Sequence, residues 1–157
     1  MKVRFINPFL KASYEVLESM AQVKVERGNP HLRSSPYVGY DVTVILGVTG
    51  AIEGQVLYGM SLDTAKRLAS SIMLGMPVKT FEEMEKSAIS ELAVRITVQA
   101  SLSLSEEGYQ CVITPPTLLL GSGVQVSSGD IQTLLIPLVT PQGEVEINVS
   151  LRERSGL

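Results

Sequence analysis

The sequence predicts an α+β fold, in which a mainly antiparallel sheet carries three helices packed on one face. Three observations predict it: helical and strand-like patterns are partly segregated along the chain, several strand patterns are separated only by short turns, and the last strand alternates apolar with polar residues. At 157 residues the chain has the length of one ordinary domain. We therefore expect residues 1–157 to form a single domain.

The first segment predicts a helix followed by extended chain. Asn7 suits the N-cap of a helix and Pro8 suits its first position, and apolar residues then recur every three or four positions. This pattern predicts a helix over residues 8–21. A short strand is expected at 23–25, and the prolines and glycine of 28–36 predict a loop.

The next segment predicts a hairpin and a second helix. Residues 41–48 and 54–60 are rich in Val, Ile and Thr or bounded by glycines, so they are expected to be strands joined by a turn. Ser61 then predicts the N-cap of an amphipathic helix that Gly75 ends.

The second half predicts one long helix and then strands. The helix spans about 81–107, ends at Gly108, and would be roughly 40 Å long at 1.5 Å per residue. Strand patterns follow at 110–113, 124–126, 131–139 and 144–151. Alternation in the last of them predicts one buried face and one solvated face.

Charge and composition limit the classes of function. The net charge is −3, and no run of Lys or Arg is present, which argues against nucleic acid or a membrane as the main partner. No apolar run approaches the ~20 residues of a membrane span, so we expect a cytoplasmic protein. His31 lacks neighbouring ligands, and Cys111 is the single cysteine, so neither a metal site nor a cofactor is expected.

The long helix has two distinct faces at ~100° per residue. One face is a conventional core stripe, formed by Ile89, Leu92, Ala93, Ile96 and Ala100. The other lies within about 60° of Glu91 and contains Ser87, Val94, Arg95, Val98 and Leu102. Either a second helix covers the apolar residues of this face while Glu91 and Arg95 form an i,i+4 pair, or the face is a docking surface.

Three segments of the chain resemble one protein family. The segment from Ser87 to Arg95, together with 113–117 and 47–54, resembles the CheX branch of the CheC/CheX/FliY chemotaxis phosphatases. The resemblance extends over roughly 6–151. It implies a CheX-like fold, a homodimer paired through sheet edges, and removal of the phosphoryl group from the aspartyl-phosphate of a CheY-type response regulator.

The resemblance also assigns roles along the long helix. The family uses a Glu, two unspecified residues and an Asn; Glu91 matches the Glu, and its implied role is to engage a lysine of the regulator. Val94 stands where the family has the Asn that orients the attacking water. Valine can neither donate nor accept a hydrogen bond. Loss of one such group typically costs on the order of 10²–10³ in rate. Arg95 and Val98 also replace residues that are usually apolar and small.

We therefore expect a partner-binding set of Ser87, Glu91, Val94, Arg95 and Val98, with Glu91 as the candidate catalytic residue in a docking role. Whether the chain is an enzyme stays open. It is expected to bind the regulator with weak or lost phosphatase activity. Alternatives are an active phosphatase that uses a displaced Gln99 or Arg95, and a non-catalytic structural module that uses the Val94/Val98/Leu102 face.

Overall fold

The computed structural model describes residues 3–34 and 36–154. In that part of the chain it contains three helices: α1 (Val3–Met20), α2 (Leu62–Ile72) and α3 (Glu83–Glu106). The strands are β1 (Glu26–Arg27), β2 (His31–Arg33), β3 (Tyr37–Val38), β4 (Val42–Gly50), β5 (Ile52–Met60), β6 (Cys111–Ile113), β7 (Thr117–Leu120), β8 (Gln125–Val126), β9 (Thr133–Thr140) and β10 (Gly143–Glu153). None of these helices is long and apolar enough to cross a membrane.

Eight strands form one antiparallel sheet in the order β1-β9-β10-β5-β4-β6, and this confirms the predicted α+β class. β2 lies beside β9 on the same edge as β1, and β7 lies beside β4 on the same edge as β6. β3 and β8 pair separately as a small ribbon. The long central strands fix the register, because Tyr58 of β5 pairs with Val44 of β4 and with Ile147 of β10.

All three helices cover one face of this sheet. One apolar cluster joins the buried side chains of α1, α2 and α3 to alternate residues of β4, β5, β9 and β10. α3 packs against both other helices and against β4. Ser61 caps α2 by accepting a hydrogen bond from the Thr64 amide at 3.2 Å, as its sequence position predicts.

The start predicted for α1 is wrong. The helix already includes Val3, so Pro8 lies inside it and Asn7 is not its N-cap. A proline within a helix removes one backbone hydrogen bond and costs about 3 kcal/mol or more. Phe5 and Ile6 offset this cost because both are buried, and the Phe5 ring also meets the Tyr109 ring edge-on at 5.2 Å.

The segment expected to be a loop at 28–36 contains a strand. β2 pairs residue by residue with β9, for example His31 with Leu135, and the short strand expected at 23–25 lies instead at β1. Ser35 lies outside the described residues. The pairing depends on a partner about a hundred residues away, so local turn chemistry could not indicate it.

The last strand is not solvated on its second face along its whole length. Its apolar residues are buried as predicted, but Asn148 and Ser150 are buried as well. Arg33 donates to Asn148 Oδ1 at 3.4 Å, and the Thr133 hydroxyl lies 2.7 Å from the Ser150 hydroxyl. A second apolar cluster, in which the β3–β8 ribbon packs against Leu57, covers a neighbouring part of the same sheet face.

The Thr-Pro-Pro segment forms a bulge at the edge of the sheet. Thr114 lies opposite Gly47, and its hydroxyl accepts a hydrogen bond from the Gly47 amide at 2.8 Å. Thr117 lies opposite Ile45, so the two prolines between them face the single residue Leu46. Proline cannot donate to a ladder, and a bulge is one of the places in a sheet that tolerates it.

Candidate functional site

The central helix α3 presents one long face to solvent. It has 24 residues, so it is about 36 Å long. Its inner face is the predicted core stripe, and all five of those residues are buried: Ile89, Leu92, Ala93, Ile96 and Ala100. The opposite face, called the α3 stripe from here on, consists of Ser87, Glu91, Val94, Arg95, Val98 and Leu102.

A buried hydrogen bond fixes α3 on the sheet. The Thr97 hydroxyl donates to the Ala93 carbonyl at 2.8 Å, and the Tyr58 hydroxyl donates to Thr97 at 2.7 Å. Burial raises the pKa of Tyr58, so the phenol keeps its proton. The α3 stripe therefore sits on a helix whose rotation about its own axis is fixed.

No described helix covers the α3 stripe. Val98 is 38% exposed and Leu102 is 60% exposed, while Val94 is half-buried against the main core. The interpretation in which a second helix packs on these three residues is therefore wrong for the part of the chain that the structure describes. Exposed apolar side chains in a row on one helix are typical of an interaction surface.

The second half of that interpretation is confirmed, because Glu91 and Arg95 do pair. Arg95 Nε donates to Glu91 Oε1 at 2.9 Å, with both side chains more than half exposed. An exposed i,i+4 pair of this kind contributes about 0.3–0.5 kcal/mol. The pair is therefore easily exchanged for a partner's charges.

The two polar groups proposed as substitutes for the Asn that the family resemblance implies at position 94 are already engaged. The Gln99 amide donates to the Glu15 carboxylate of α1. Gln99 also lies ~80° around the helix from Glu91 and more than two turns along it. Arg95 is held by Glu91 and has no acceptor atom. The structure therefore brings Glu91, Arg95 and Val98 together on one surface, while the Gln99 amide is bound to Glu15 of α1.

Sequence reasoning missed two residues that belong to this region. Met84 is 62% exposed and lies three residues before Ser87, so it extends the exposed face by one turn. The i, i+3, i+4 spacing that identified the stripe could have found it. Glu15 lies on a different helix, and nothing in the local sequence indicates its contact with Gln99.

The other candidates form no site in residues 3–34 and 36–154. His31 is exposed on β2, and its Nδ1 lies 3.0 Å from the Asn29 carbonyl. No group of three His, Cys, Asp or Glu side chains there could hold a metal ion. Partial burial raises the pKa of the Cys111 thiol, which disfavours the reactive thiolate.

The glycine-rich segment at 47–54 builds the sheet instead of contributing to the α3 stripe. Glu53 lies opposite Arg152, whose Nε donates to Glu53 Oε1 at 3.1 Å. Gly54 has φ +143°, and a Cβ there would lie only 1.8 Å from the Ser150 carbonyl oxygen. Close strand approach therefore explains why glycine stands at this position.

Known proteins resemble this chain over nearly its whole length. Residues 42–139 match the family model described as chemotaxis phosphatase CheX. The CheY-P phosphatase CheX of Thermotoga maritima is 26% identical over 152 residues, which is 97% of this chain and 98% of that protein.

Solved structures agree with this match. A chain in the crystal structure of the CheX-CheY-BeF3-Mg+2 complex from Borrelia burgdorferi is 30% identical, with a TM-score of 0.83, over 97% of this chain and 100% of that one. A CheC-like superfamily protein from Shewanella sp. PV-4 is 25% identical, with a TM-score of 0.87, over 97% of this chain and 99% of its own.

Proposed function

The chain belongs to the CheX family of chemotaxis phosphatases, and we propose that it engages a CheY-type response regulator through the α3 stripe. The observation that carries this proposal is the exposure of Glu91 beside Val98 on a helix that is fixed from below. The Borrelia burgdorferi relative, crystallised with CheY, BeF3 and Mg²⁺, supports the choice of partner. BeF3⁻ on an aspartate has the shape and charge of a phosphoryl group.

Each member of the stripe has a role in this proposal. Glu91 exchanges its weak pairing with Arg95 for a lysine of the regulator, which sets the two proteins in register. Val98 supplies apolar contact area that excludes water from the interface. Ser87 and Arg95 border this contact, and Val94 lies at its side, next to the regulator's phosphorylation site.

Phosphatase activity is weak or lost on this proposal. Phosphoryl transfer from an aspartate depends on positioning and electrostatics more than on covalent work by the enzyme. The position that orients the attacking water in the family is Val94, which offers no hydrogen bond. Glu91 alone can dock the regulator, but it cannot replace the Asn.

The chain is proposed to act as one domain in the cytoplasm and to pair as a homodimer. A regulator that carries an aspartyl phosphate must share a compartment with its ATP-dependent kinase, and that compartment is the cytoplasm. The outer strands available for pairing are β1 and β2 on one edge, and β6 and β7 on the other. Such edges offer backbone donors and acceptors to a second copy.

A second candidate function uses the same surface differently. The exposed apolar residues Val98 and Leu102 also suit a permanent protein interface in a non-catalytic assembly module. The two functions differ in one observable. A regulator-binding protein prefers the phosphorylated or BeF3⁻-loaded regulator, whereas an assembly module binds its partner without regard to phosphorylation.

The first prediction concerns Glu91→Gln and binding of a BeF3⁻-loaded CheY-type regulator. The substitution keeps the shape of the side chain and removes its charge. We expect the affinity to fall by about tenfold, because a hydrogen bond between charged groups typically contributes at least about 1.5 kcal/mol to binding. Isothermal titration calorimetry measures this directly. Glu106→Gln is the matched control, because Glu106 is also an exposed Glu of α3 but lies at its far end.

If Glu106→Gln weakens binding as much as Glu91→Gln does, the effect is one of net charge and the docking role fails. If the native chain binds no regulator in either state, the proposed function itself fails.

A further inference from the structure

The side chain one turn after Val94 on α3 is apolar, and the two polar groups proposed as substitutes nearby already have partners. Val94 lies one turn after Ser90 and one turn before Val98, so two isopropyl groups are neighbours there. Gln99 is held by Glu15 on another helix. Arg95 pairs with Glu91 in the free protein, and docking through Glu91 would release it, but a guanidinium has no acceptor atom for a water proton. The side chains of Val94 and Val98 therefore present only apolar carbon atoms to a partner.

Ser90 is a further polar residue one turn from Val94. Its hydroxyl is carried on a single carbon, one atom shorter than the amide of an Asn, and the residue is half-buried. Its oxygen therefore extends less far from the helix axis than the amide of an Asn would. Ser87 is seven residues away from Val94, which is about 10 Å along the helix axis. Neither hydroxyl reaches the place where an Asn amide at position 94 would act.

Loss of the phosphoryl group from an aspartate needs a positioned water. The water oxygen bonds to phosphorus while the bond between phosphorus and the aspartate oxygen breaks. The carboxylate leaves, and the water proton passes to the released phosphate or to solvent. A surface that covers the phosphoryl group without orienting a water keeps the nucleophile out.

We propose that this chain, when docked on a phosphorylated regulator, preserves the aspartyl phosphate instead of removing it. This inference rests on the proposed function, because it needs the α3 stripe to dock beside the phosphorylation site. The isopropyl groups of Val94 and Val98 then exclude water from the phosphorus. The protein acts as a protective binder that lengthens the lifetime of the signal.

Mass action sets the size of the effect. If the docked regulator does not hydrolyse, only the free fraction loses its phosphoryl group, so the half-life grows as one plus the ratio of protein concentration to Kd. At ten times Kd the half-life is therefore roughly tenfold longer. The native chain is then a concentration-dependent stabiliser whose effect follows the binding curve.

The experiment measures the half-life of a CheY-type regulator that has been phosphorylated with acetyl phosphate and freed of the donor, in the presence of Mg²⁺. The native chain, Val94→Asn, Arg95→Ala and Ser90→Ala are each added at several concentrations. Kd for the BeF3⁻-loaded regulator is measured on the same samples. Glu106→Gln serves as the control that should behave like the native chain.

The expected result is a half-life that lengthens with the native chain and shortens with Val94→Asn, by on the order of 10² relative to the native chain. Ser90→Ala should protect like the native chain, and Arg95→Ala, which alters the proposed contact, should lengthen the half-life by one plus the ratio of its concentration to its own measured Kd. Binding of the native chain with an unchanged half-life overturns the inference and leaves the proposed function standing. A half-life that the native chain shortens, and that Arg95→Ala or Ser90→Ala restores, overturns it in favour of a displaced catalytic group. Absence of binding to the BeF3⁻-loaded regulator is a failure of the proposed function itself and removes the inference with it.

Discussion

Thr97 determines how α3 sits on the sheet, although it takes no part in the α3 stripe. Its hydroxyl is fully buried, donates to the Ala93 carbonyl and accepts from Tyr58. Every residue of the stripe is placed by this contact and by the apolar packing beside it. A buried polar pair of this kind specifies one helix rotation, because any other leaves a hydroxyl unsatisfied.

The second prediction is that Thr97→Val destabilises the protein by about 1–3 kcal/mol, since it leaves the Tyr58 hydroxyl buried without a partner. Chemical denaturation measures the loss. Tyr58→Phe alone should cost less, about 1 kcal/mol, because Thr97 still donates to Ala93. The double variant should be less destabilised than the sum of the two single variants. Additive effects would contradict the proposed coupling.

The position of Val94 on α3 can be predicted from the sequence, but the contacts around it cannot. Its position relative to Glu91 could be read from spacing, and the structure places it half-buried at the side of the exposed face. Its neighbours could not be predicted, because Glu15 reaches Gln99 from another helix. The engagement of the Gln99 amide is therefore a property of the packed structure and not of the local sequence.

At the scale of elements, periodicity predicted the parts of the fold that are locally determined. The core stripe of α3, the cap of α2 and the hairpin of β4 and β5 all follow from spacing and turn chemistry. β2 and β7 are not predicted, because their pairing partners lie far along the chain and each strand is too short to show a clear pattern. Long-range pairing overrides weak local preference in such short strands.

The solvated face predicted for the last strand is partly covered, because residues distant in the chain contact it. Arg33 extends over the Tyr37 ring, with 4.2 Å between its guanidinium carbon and the ring centroid, and pairs with Glu146 at 3.0 Å. Tyr40 donates to the other oxygen of Glu146 at 2.9 Å. These contacts hold the side chains of Arg33, Tyr37 and Tyr40 over residues of β10 that alternation assigns to solvent.

The third prediction concerns the pH dependence of stability. Burial is the main cause that raises the pKa of Tyr37 and of Tyr40 to about 12, and Glu146 adds to it. In the unfolded chain both phenols lose their protons near pH 10. The unfolded state therefore releases protons first, and stability falls as the pH rises from about 10 to about 12.

Urea unfolding measured at about pH 9 and about pH 11 tests this dependence. The double variant Tyr37→Phe/Tyr40→Phe is the control, because it should lose less stability over the same interval than the native chain. An equal loss in both proteins would assign the decline to other groups.

At the scale of the whole molecule, the two sheet edges are the surfaces at which a second copy of the chain could pair. Each edge is built from two short strands, with β1 and β2 on one side and β6, the proline bulge and β7 on the other. Short, interrupted edge strands resist uncontrolled pairing. Exposed Leu32 on β2 and Leu120 on β7 nevertheless leave apolar surface at both edges.

The fourth prediction is that the protein forms a dimer of twice the 17.0 kDa chain mass in sedimentation equilibrium. A lysine at one edge places a charge beside its symmetry mate and should dissociate the dimer. Leu32→Lys and Leu120→Lys test one edge each, and the variant that leaves the dimer intact is the control for the other. A native protein that stays at 17.0 kDa at the highest soluble concentration would contradict the proposed dimer.

The most direct measurement is the affinity of the native chain and of Val98→Glu for a BeF3⁻-loaded CheY-type regulator. Val38→Glu is the matched control, because Val38 is also an exposed valine but lies on β3, over the sheet face away from the helices. If the α3 stripe docks the regulator, Val98→Glu buries a charge and should weaken binding by about tenfold or more, while Val38→Glu leaves it unchanged. Equal affinities of the native chain and Val98→Glu would show that the regulator binds elsewhere.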